Sequence, residues 1–477
     1  MRILWLFLLL AGCTVGPDFV RPKAPAADHY NHGGDPSGLL DQHFEKGALP
    51  VENWWKLFGS GKLDEIVREG VSGNLTLKAA QASLSQSRDS LKAGYGIFYP
   101  QVSASLNPAR QRFSPERFGS SSPGTIFNLV TLSASVSYAL DLFGGEHRAI
   151  ENLQSQVEFQ REVLLGTYLS LTSNIVNTAI AAAAYRDEIG FTEQLISLQK
   201  EQIAIGEKQV EAGIASYGSV LALKSQLASY EATLPPLRQK LAQSEHLLAT
   251  LAGHAPSEWR PPRISMKDLV LPEKLPLSLP SDLVRRRPDV LASEAALHGA
   301  SARIGVATAA LYPSFTLTGS FGRNDATFPG LLGSRGNFWN LGANVAAPIF
   351  DGGTLSAERQ AAVDAYRQSL LDYRQTVLSA LSQVADILRA LEHDGEAFEA
   401  QSRSARASRE ALHLARISYQ AGTVNYLQVL LSDIQYHQAA IGLLDAQAQR
   451  LQDTTALFAA LGGDWRKPDS LNGGFPR

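Results

Sequence analysis

Alternation of apolar and small polar side chains in four short segments is the most informative pattern in this sequence. Between residues 131 and 140, leucine, alanine, valine and tyrosine occupy every second position, and mainly threonine and serine lie between them. A period of two predicts β-strands with one apolar face and one polar face. Strands are therefore predicted at about residues 101–107, 129–142, 314–321 and 338–350.

Two long tracts without proline follow the two pairs of strands. They comprise residues 146–211 and 354–421, and each contains few glycines. At 1.5 Å per residue, a helix over either tract would extend about 100 Å, which is too long for a compact domain. A glycine-containing turn ends each tract, and shorter helices are predicted to return at residues 216–252 and 424–461.

Short motifs that contain glycine or proline occur twice in the same order, about 210 residues apart. Tyr99-Pro100 corresponds to Tyr312-Pro313, and Leu251-Ala252-Gly253 corresponds to Leu461-Gly462-Gly463. A period this long indicates duplication of a whole helix–strand–strand–helix module. The two copies are predicted to differ at Pro235-Pro236, which would break the first return helix. The predicted parts are a signal peptide (1–12), an extended N-terminal segment (13–61), a first repeat (62–253), a proline-rich linker (254–288), a second repeat (289–463) and a C-terminal tail (464–477).

The N-terminus has the features of a bacterial lipoprotein signal. Arg2 precedes an apolar run from Ile3 to Leu10 that is too short to span a bilayer, and small residues then precede Cys13, the only cysteine. The sequence Leu-Ala-Gly-Cys resembles the lipobox, whose cysteine becomes the lipid-carrying first residue of the mature protein. Because Thr14 stands where aspartate often marks inner-membrane retention, the resemblance indicates the outer membrane of a Gram-negative cell. A buried cysteine behind an ordinary signal peptide remains the alternative.

Charge and motif content exclude several other functions. The net charge of −3, from 43 basic and 46 acidic residues, gives no general attraction to nucleic acid. The sequence has no glycine-rich phosphate loop or nucleophile elbow in a strand-to-helix setting. His29, His32 and His43 lack the regular spacing of a metal site. The chain is therefore predicted not to be an enzyme and not to need a metal. No cofactor is predicted, apart from the covalent lipid on Cys13.

The polar face of the predicted strands suits a membrane barrel, in which one side meets lipid and the other a water-filled lumen. Aromatic residues cluster near the strand ends, as in an interfacial girdle. A soluble sandwich would show the same alternation, so the strand pattern alone leaves both interpretations open. Backbone groups in lipid must all be paired, and four strands cannot close around a lumen. Three chains would give twelve strands and a channel, so a trimer is predicted.

Five motifs occur in order along nearly the whole chain. They are Cys13-Thr14-Val15-Gly16-Pro17-Asp18-Phe19, Trp54-Trp55, Asp141-Leu142-Phe143-Gly144, the segment from Leu279 to Asp289, and Pro348-Ile349-Phe350-Asp351-Gly352-Gly353. Each motif is weak alone, but together they are specific. With them the sequence resembles the outer-membrane efflux factors, the TolC-like channel proteins, and in particular their lipoprotein branch.

This resemblance implies an α+β membrane protein with internal duplication. Four strands per chain would form a trimeric twelve-stranded β-barrel, continued by a long α-helical periplasmic barrel, with an equatorial belt near Trp54, in the linker and in the tail. The homotrimer would dock a periplasmic adaptor (membrane fusion) protein and an inner-membrane pump of the resistance–nodulation–division (RND) type, and would passively export drugs or other small molecules. The alternatives are the exit duct of a type I protein secretion system and a trimeric surface adhesin or structural coiled coil.

The resemblance also assigns candidate site residues, beginning at the turns that end the long helices. The predicted periplasmic tip and adaptor contact comprises Gly213, Ser216, Tyr217, Gly422, Asn425 and Tyr426, although these residues could instead be simple helix caps. Family members often carry an aspartate ring after the tip, in a pattern like Tyr-Leu-x-Val-Leu-Asp. Here the aspartate lies two positions later than in that pattern, which turns it about 200° around a helix. The candidates for the pore gate are therefore Leu427, Leu431 and Asp433.

Overall fold

The computed structural model describes residues 14–36, 38–39, 41–114, 116, 119, 123–333 and 335–463. The predicted signal peptide, Cys13 and the tail from residue 464 lie outside the described residues. The strands are β1 (Gly38–Leu39), β2 (Gln42–Lys46), β3 (Gln101–Phe113), β4 (Thr125–Leu140), β5 (Lys274–Leu277), β6 (Ser314–Asp325) and β7 (Asn337–Ala346). The α-helices are α1 (Gly61–Gly73), α2 (Leu75–Gly94), α3 (Gly145–Glu211), α4 (Tyr217–Leu251), α5 (Pro280–Val284), α6 (Pro288–Ala309), α7 (Thr354–Gln420) and α8 (Tyr426–Ala460).

The chain divides into two compact units, each of which takes segments from both repeats. The strand unit contains Ser83–Arg161, Ala292–Arg374 and the described part of Met1–Pro22. The helical unit contains Lys23–Ala82, Glu162–Leu291 and the described part of Gln375–Arg477. The two compact units therefore do not correspond to the two copies of the duplicated module.

A four-stranded antiparallel sheet dominates the strand unit, in the order β3-β4-β6-β7. Val102 pairs with Val136 and Ser103 with Ser135, so the apolar and polar faces continue from strand to strand. The pairing of Phe321 with Trp339 extends the apolar face to the last strand. Strands β3 and β7 are the outer strands of this sheet.

The strands differ from the predicted ranges at their ends. Strand β3 continues to Phe113 and β4 begins at Thr125. The backbone pairing between these two strands continues beyond the residues in which apolar and polar side chains alternate. Strand β6 likewise runs to Asp325 rather than 321. Strand β7 ends at Ala346 instead of 350, shortly before Pro348, which has no backbone N–H for a ladder.

The helices repeat in length. Helices α3 and α7 each have 67 residues, and the return helices α4 and α8 each have 35. The predicted break at Pro235-Pro236 is wrong, because α4 is assigned as one helix across both prolines. Leu234 and Leu237 on either side are buried in a cluster with Ile189 and Tyr230, and this packing holds the helix together despite the missing N–H groups.

The N-terminal segment and the linker carry regular structure that the sequence patterns did not predict. Strand β2 from the N-terminal segment pairs in parallel with β5 from the linker, and β1 pairs with β2 on its other side. Gln42 is buried, and its amide donates to Pro272 O at 2.9 Å. Nearby in the same unit, buried Trp54 stacks on Phe458 with ring centroids 5.4 Å apart. The N-terminal segment from Lys23 onward is thus packed into the helical unit.

Candidate functional site

One face of the four-stranded sheet is lined by exposed apolar side chains. Trp339 and Leu341 are 76% and 79% exposed, although aromatic and leucine side chains normally favour burial. A contiguous apolar surface of this kind marks contact with a membrane or another protein. This apolar sheet face consists of Val102, Leu106, Leu132, Val136, Leu317, Phe321, Trp339, Leu341 and Val345.

The opposite face of the same sheet carries small polar side chains. Ser105 Oγ and Ser133 Oγ lie 3.0 Å apart across two strands. This polar sheet face consists of Ser103, Ser105, Thr131, Ser133, Ser135, Ser137, Thr316, Thr318, Ser320, Asn340 and Asn344. Strands β6 and β7, with 12 and 10 residues, have about the length of tilted membrane strands. Lipid on one side and water on the other would satisfy both faces.

The outer strands of the sheet decide what this arrangement can do. In lipid, the backbone groups along the outer edges of β3 and β7 would have no water to bond, so they need strands from another chain. Strand directions alternate from β3 to β7, so β7 of one copy beside β3 of the next would again be antiparallel. The sheet can therefore span a membrane only within a closed assembly of several copies.

Both long helices end in the same capping geometry. Gly213 and Gly422 each have a φ of 73°. In each turn the glycine N–H donates to the carbonyl three residues earlier, and the next N–H donates to the carbonyl five residues before it. This is the Schellman arrangement, whose left-handed position favours glycine. A Cβ at either position would meet no atom within 4 Å, so the backbone angle and not the available space requires glycine.

The other predicted tip residues fall into two groups. Ser216 and Asn425 precede α4 and α8, and Asn425 Oδ1 accepts from Gln428 N at 3.2 Å. Tyr217 is 59% exposed at the first turn. Its counterpart Tyr426 is partly buried, with its hydroxyl bonded to Gln202 and its ring edge-on to Tyr419. Tyr426 therefore has a structural role, whereas the exposed tip residues can meet a partner.

The three gate candidates also separate by exposure. Leu427 and Leu431 are 56% and 49% exposed, whereas only 5% of Asp433 is exposed. Asp433 Oδ1 accepts from Arg416 Nη2 at 3.2 Å, and Oδ2 accepts from Tyr230 Oη at 3.4 Å. This position within the helix packing argues against a carboxylate ring at residue 433. Leu427 and Leu431 remain predicted gate residues.

The network around Asp433 links α4 to both helices of the second hairpin. Burial raises the pKa of the Asp433 carboxyl above its ordinary value, and the nearby charge of Arg416 opposes this shift. Burial and the Asp433 charge raise the pKa of Tyr230 to about 12. His437 lies one turn further along α8 and stacks on Phe191, and burial lowers its pKa.

Sequence reasoning missed Arg416 and Tyr230. Arg416 lies six residues before Gly422 and Asp433 eleven residues after it, so the two side chains can meet across the helical hairpin. Opposite charges on the two sides of a predicted turn were the available signal. Tyr230 gave no such signal, because its contact with Asp433 joins residues 203 positions apart.

A second group of contacts holds residues 14–21, the N-terminal strap, against the strand unit. Val15 N donates to Phe143 O at 3.0 Å, and Arg148 Nη2 donates to Asp18 Oδ1 at 2.7 Å. Further along, Phe19 stacks on His298, with ring centroids 4.4 Å apart. Arg21 finally pairs with Glu294 at 2.6 Å. The strap thus follows α6 toward its N-terminal end as the chain leaves Thr14.

Comparisons with known proteins identify this architecture. The sequence profile of the outer membrane efflux protein family matches residues 68–254 and 279–463. The pyoverdine export outer membrane protein OpmQ of Pseudomonas putida is 28% identical over 424 residues, which are 88% of this chain and 89% of that protein. The cation efflux system protein CusC of Escherichia coli is 26% identical, over 96% of this chain and 97% of that protein.

A solved structure agrees with these sequence matches. The outer-membrane channel OprN superposes with a TM-score of 0.87 and 26% identity, covering 95% of this chain and all of that chain. The fold of the described residues is therefore that of an outer-membrane channel subunit. Since the profile matches well over half of the residues, the chain belongs to the outer membrane efflux protein family and is the outer-membrane channel component of a tripartite efflux pump.

Proposed function

We propose that three copies of this chain close a twelve-stranded barrel through the outer membrane and form a passive conduit. The observation that carries the proposal is the sheet with one exposed apolar face, one small polar face and two outer strands that need partners in lipid. Two copies would give an eight-stranded barrel, and side chains would fill its interior. Three copies give twelve strands and leave room for a lumen.

The helices would continue this conduit into the periplasm. Helices α3 and α7, of 67 residues each, would extend about 100 Å if straight. Their capped ends at Gly213 and Gly422, with Ser216, Tyr217 and Asn425, would meet a periplasmic adaptor that also binds an inner-membrane pump of the RND type. The conduit itself carries no catalytic step.

The exported compounds are proposed to be drugs or other small molecules. Two relatives of similar identity to this chain are named for pyoverdine export and for cation efflux. This difference favours selection of the substrate by the pump, with the conduit supplying a water-filled path past its serine, threonine and asparagine side chains.

A lipid on Cys13 would add an anchor in the outer membrane. Thr14, the next residue, packs against Gly144, where a Cβ would lie 2.6 Å from Thr14 Cγ2. Gly144 lies between the end of β4 and the start of α3, so the strap begins beside the sheet that would span the membrane. One attached chain contributes only weak anchoring, and the barrel would supply the rest.

The barrel can be tested by disulfide cross-linking between outer strands. Cysteine would replace Ser103 or Ser105 in β3, combined with cysteine in place of Asn340 or Asn344 in β7. We expect at least one of the four pairs to form a covalent ladder up to the trimer in outer membranes, because neighbouring strands bring Cα atoms within disulfide range. Cysteine at Ser135 of the inner strand β4 is the control and should not cross-link between copies. Monomers in every combination would refute the barrel.

The transport role can be tested separately by deleting the gene. Loss of the conduit should increase sensitivity to several antibiotics, and the wild-type chain should restore resistance. Unchanged antibiotic sensitivity together with loss of one secreted protein would instead support a type I secretion duct.

A further inference from the structure

An apolar cleft of about 630 Å³ opens in the strand unit, which is within the size range of small-molecule sites. It lies where β4 and β7 end, where β6 begins, and beside the start of α3 and the end of α6. Its walls are mainly carbon atoms, including those of Leu140, Leu142, Phe143, Ala309, Tyr312 and Phe315. Phe143 and Tyr312 stack within it, with ring centroids 4.6 Å apart.

The N-terminal strap approaches this cleft as it is followed from Arg21 toward Thr14. Arg21 contacts Glu294, and Gly16 packs against Gly305, where an added Cβ would lie 2.5 Å from Gly305 Cα. Moving from Arg21 back to Gly16 therefore advances eleven residues along α6, or about 16 Å, toward the strands. The strap then reaches Thr14 against Gly144, between Phe143 and Gly145 in the cleft wall.

We infer that the cleft binds an acyl chain carried by Cys13. The inference rests on the lipidation proposed above and names the place where the lipid lies. Cys13 is joined by one peptide bond to Thr14, which packs against Gly144 between two residues of the cleft wall, so an acyl chain on Cys13 would have only a short distance to span to the cleft. The tether raises the effective concentration of the acyl chain there, in competition with the bilayer.

Occupation of the cleft would have two physical effects. Because the chain would otherwise lie in the bilayer, its methylene groups gain little by entering the cleft, and the gain comes from the apolar wall, which loses contact with water. The lipid would also fix the first residue of the strap, whose ion pairs from Asp18 and Arg21 bind α3 and α6.

Photo-cross-linking with a palmitic acid analogue can test the site. Cells would incorporate a chain that carries a diazirine and an alkyne, and the alkyne alone would show whether the mature protein is lipidated. After irradiation of outer membranes, mass spectrometry would locate cross-links within the chain. We expect them on peptides that contain Leu142, Ala309 or Phe315. Ala309→Trp, which fills the cleft, should reduce these cross-links at least tenfold. Ala343→Trp, on the apolar sheet face in β7, should leave them unchanged.

Other occupants predict different products. Cross-links confined to the apolar sheet face, for example near Leu317 and Trp339, would place the chain in the bilayer and overturn the inference. Cleft cross-links that persist in Cys13→Ser, exported with an ordinary signal peptide, would show a bilayer phospholipid there and would also overturn it. Cross-links to a second copy would do the same. Absence of the alkyne from the wild-type protein would refute lipidation itself, while the strand cross-linking test of the barrel would stand independently.

Discussion

The backbone at Gly422 sets a requirement that a single side chain can violate. Its φ of 73° is left-handed, and the space around a Cβ is open. A β-branched residue should therefore add strain of about 1–2 kcal/mol without a steric clash. We expect Gly422→Val to distort the end of α7 and abolish export while trimers still form, as measured by antibiotic susceptibility and by the cross-linked trimer.

Asparagine provides the control at the same position, because it tolerates the left-handed region far better than valine. Gly422→Asn should retain export. Full resistance in the valine variant, or equal loss in both variants, would contradict a role for the cap geometry at this turn.

At Asp433, burial leads to a pH dependence of the channel. The raised pKa means that this carboxyl gains its proton at a higher pH than an exposed aspartate would. Protonation weakens the attraction of Asp433 to Arg416 and its hydrogen bond from the Tyr230 hydroxyl, and so loosens the contacts of α8 with α7 and with α4. Conductance of purified channels in planar bilayers should therefore rise as the pH is lowered from neutral, and Asp433→Asn should show the raised conductance already at neutral pH.

The control for this measurement is His437→Gln, which removes the neighbouring titratable ring. Burial lowers the pKa of His437, so it gains its proton only below the ordinary histidine range. The pH response should survive in His437→Gln and disappear in Asp433→Asn. A pH response that disappears in His437→Gln and survives in Asp433→Asn would show that His437, and not Asp433, causes the effect.

Among the elements, α4 contains a local defect that tertiary packing compensates. Pro235 and Pro236 cannot donate to the carbonyls of Glu231 and Ala232, and a proline inside a helix costs about 3 kcal/mol. Replacing both by alanine should stabilise this part of α4, visible as slower amide hydrogen exchange over residues 228–240. Gln239→Ala, an exposed change on the same helix, should have little effect, and faster exchange in the double variant would be contrary to expectation.

The sequence predicted those elements whose pattern is long and regular. The strands and the paired helices were recognisable because alternation and proline-free length extend over many residues. The ends of β3 and β4 were not, since their ladder continues through polar residues such as Arg110 and Asn128. Strand β2 has only five residues, and its partner β5 lies more than 220 residues away. The burial of Asp433 depends on Tyr230, another distant contact that periodicity cannot reveal.

At the scale of the whole molecule, the sheet explains why one chain is incomplete. Its apolar face suits lipid, its polar face suits water, and its outer strands would require neighbours in lipid. Only an assembly meets all three conditions at once. The two faces should then respond differently to the same added charge.

Neighbouring positions in β7 provide a matched pair for this difference. Leu341 lies on the apolar sheet face and Asn340 on the polar sheet face. A lysine facing lipid near the membrane centre costs about 2–4 kcal/mol, and a trimer would carry three of them. Leu341→Lys should therefore sharply reduce the amount of assembled trimer in outer membranes. Asn340→Lys should assemble normally and shift the ion selectivity of the channel toward anions, measured as reversal potential under a salt gradient. Equal loss of assembly in both variants would mean that residue 340 does not face a water-filled lumen.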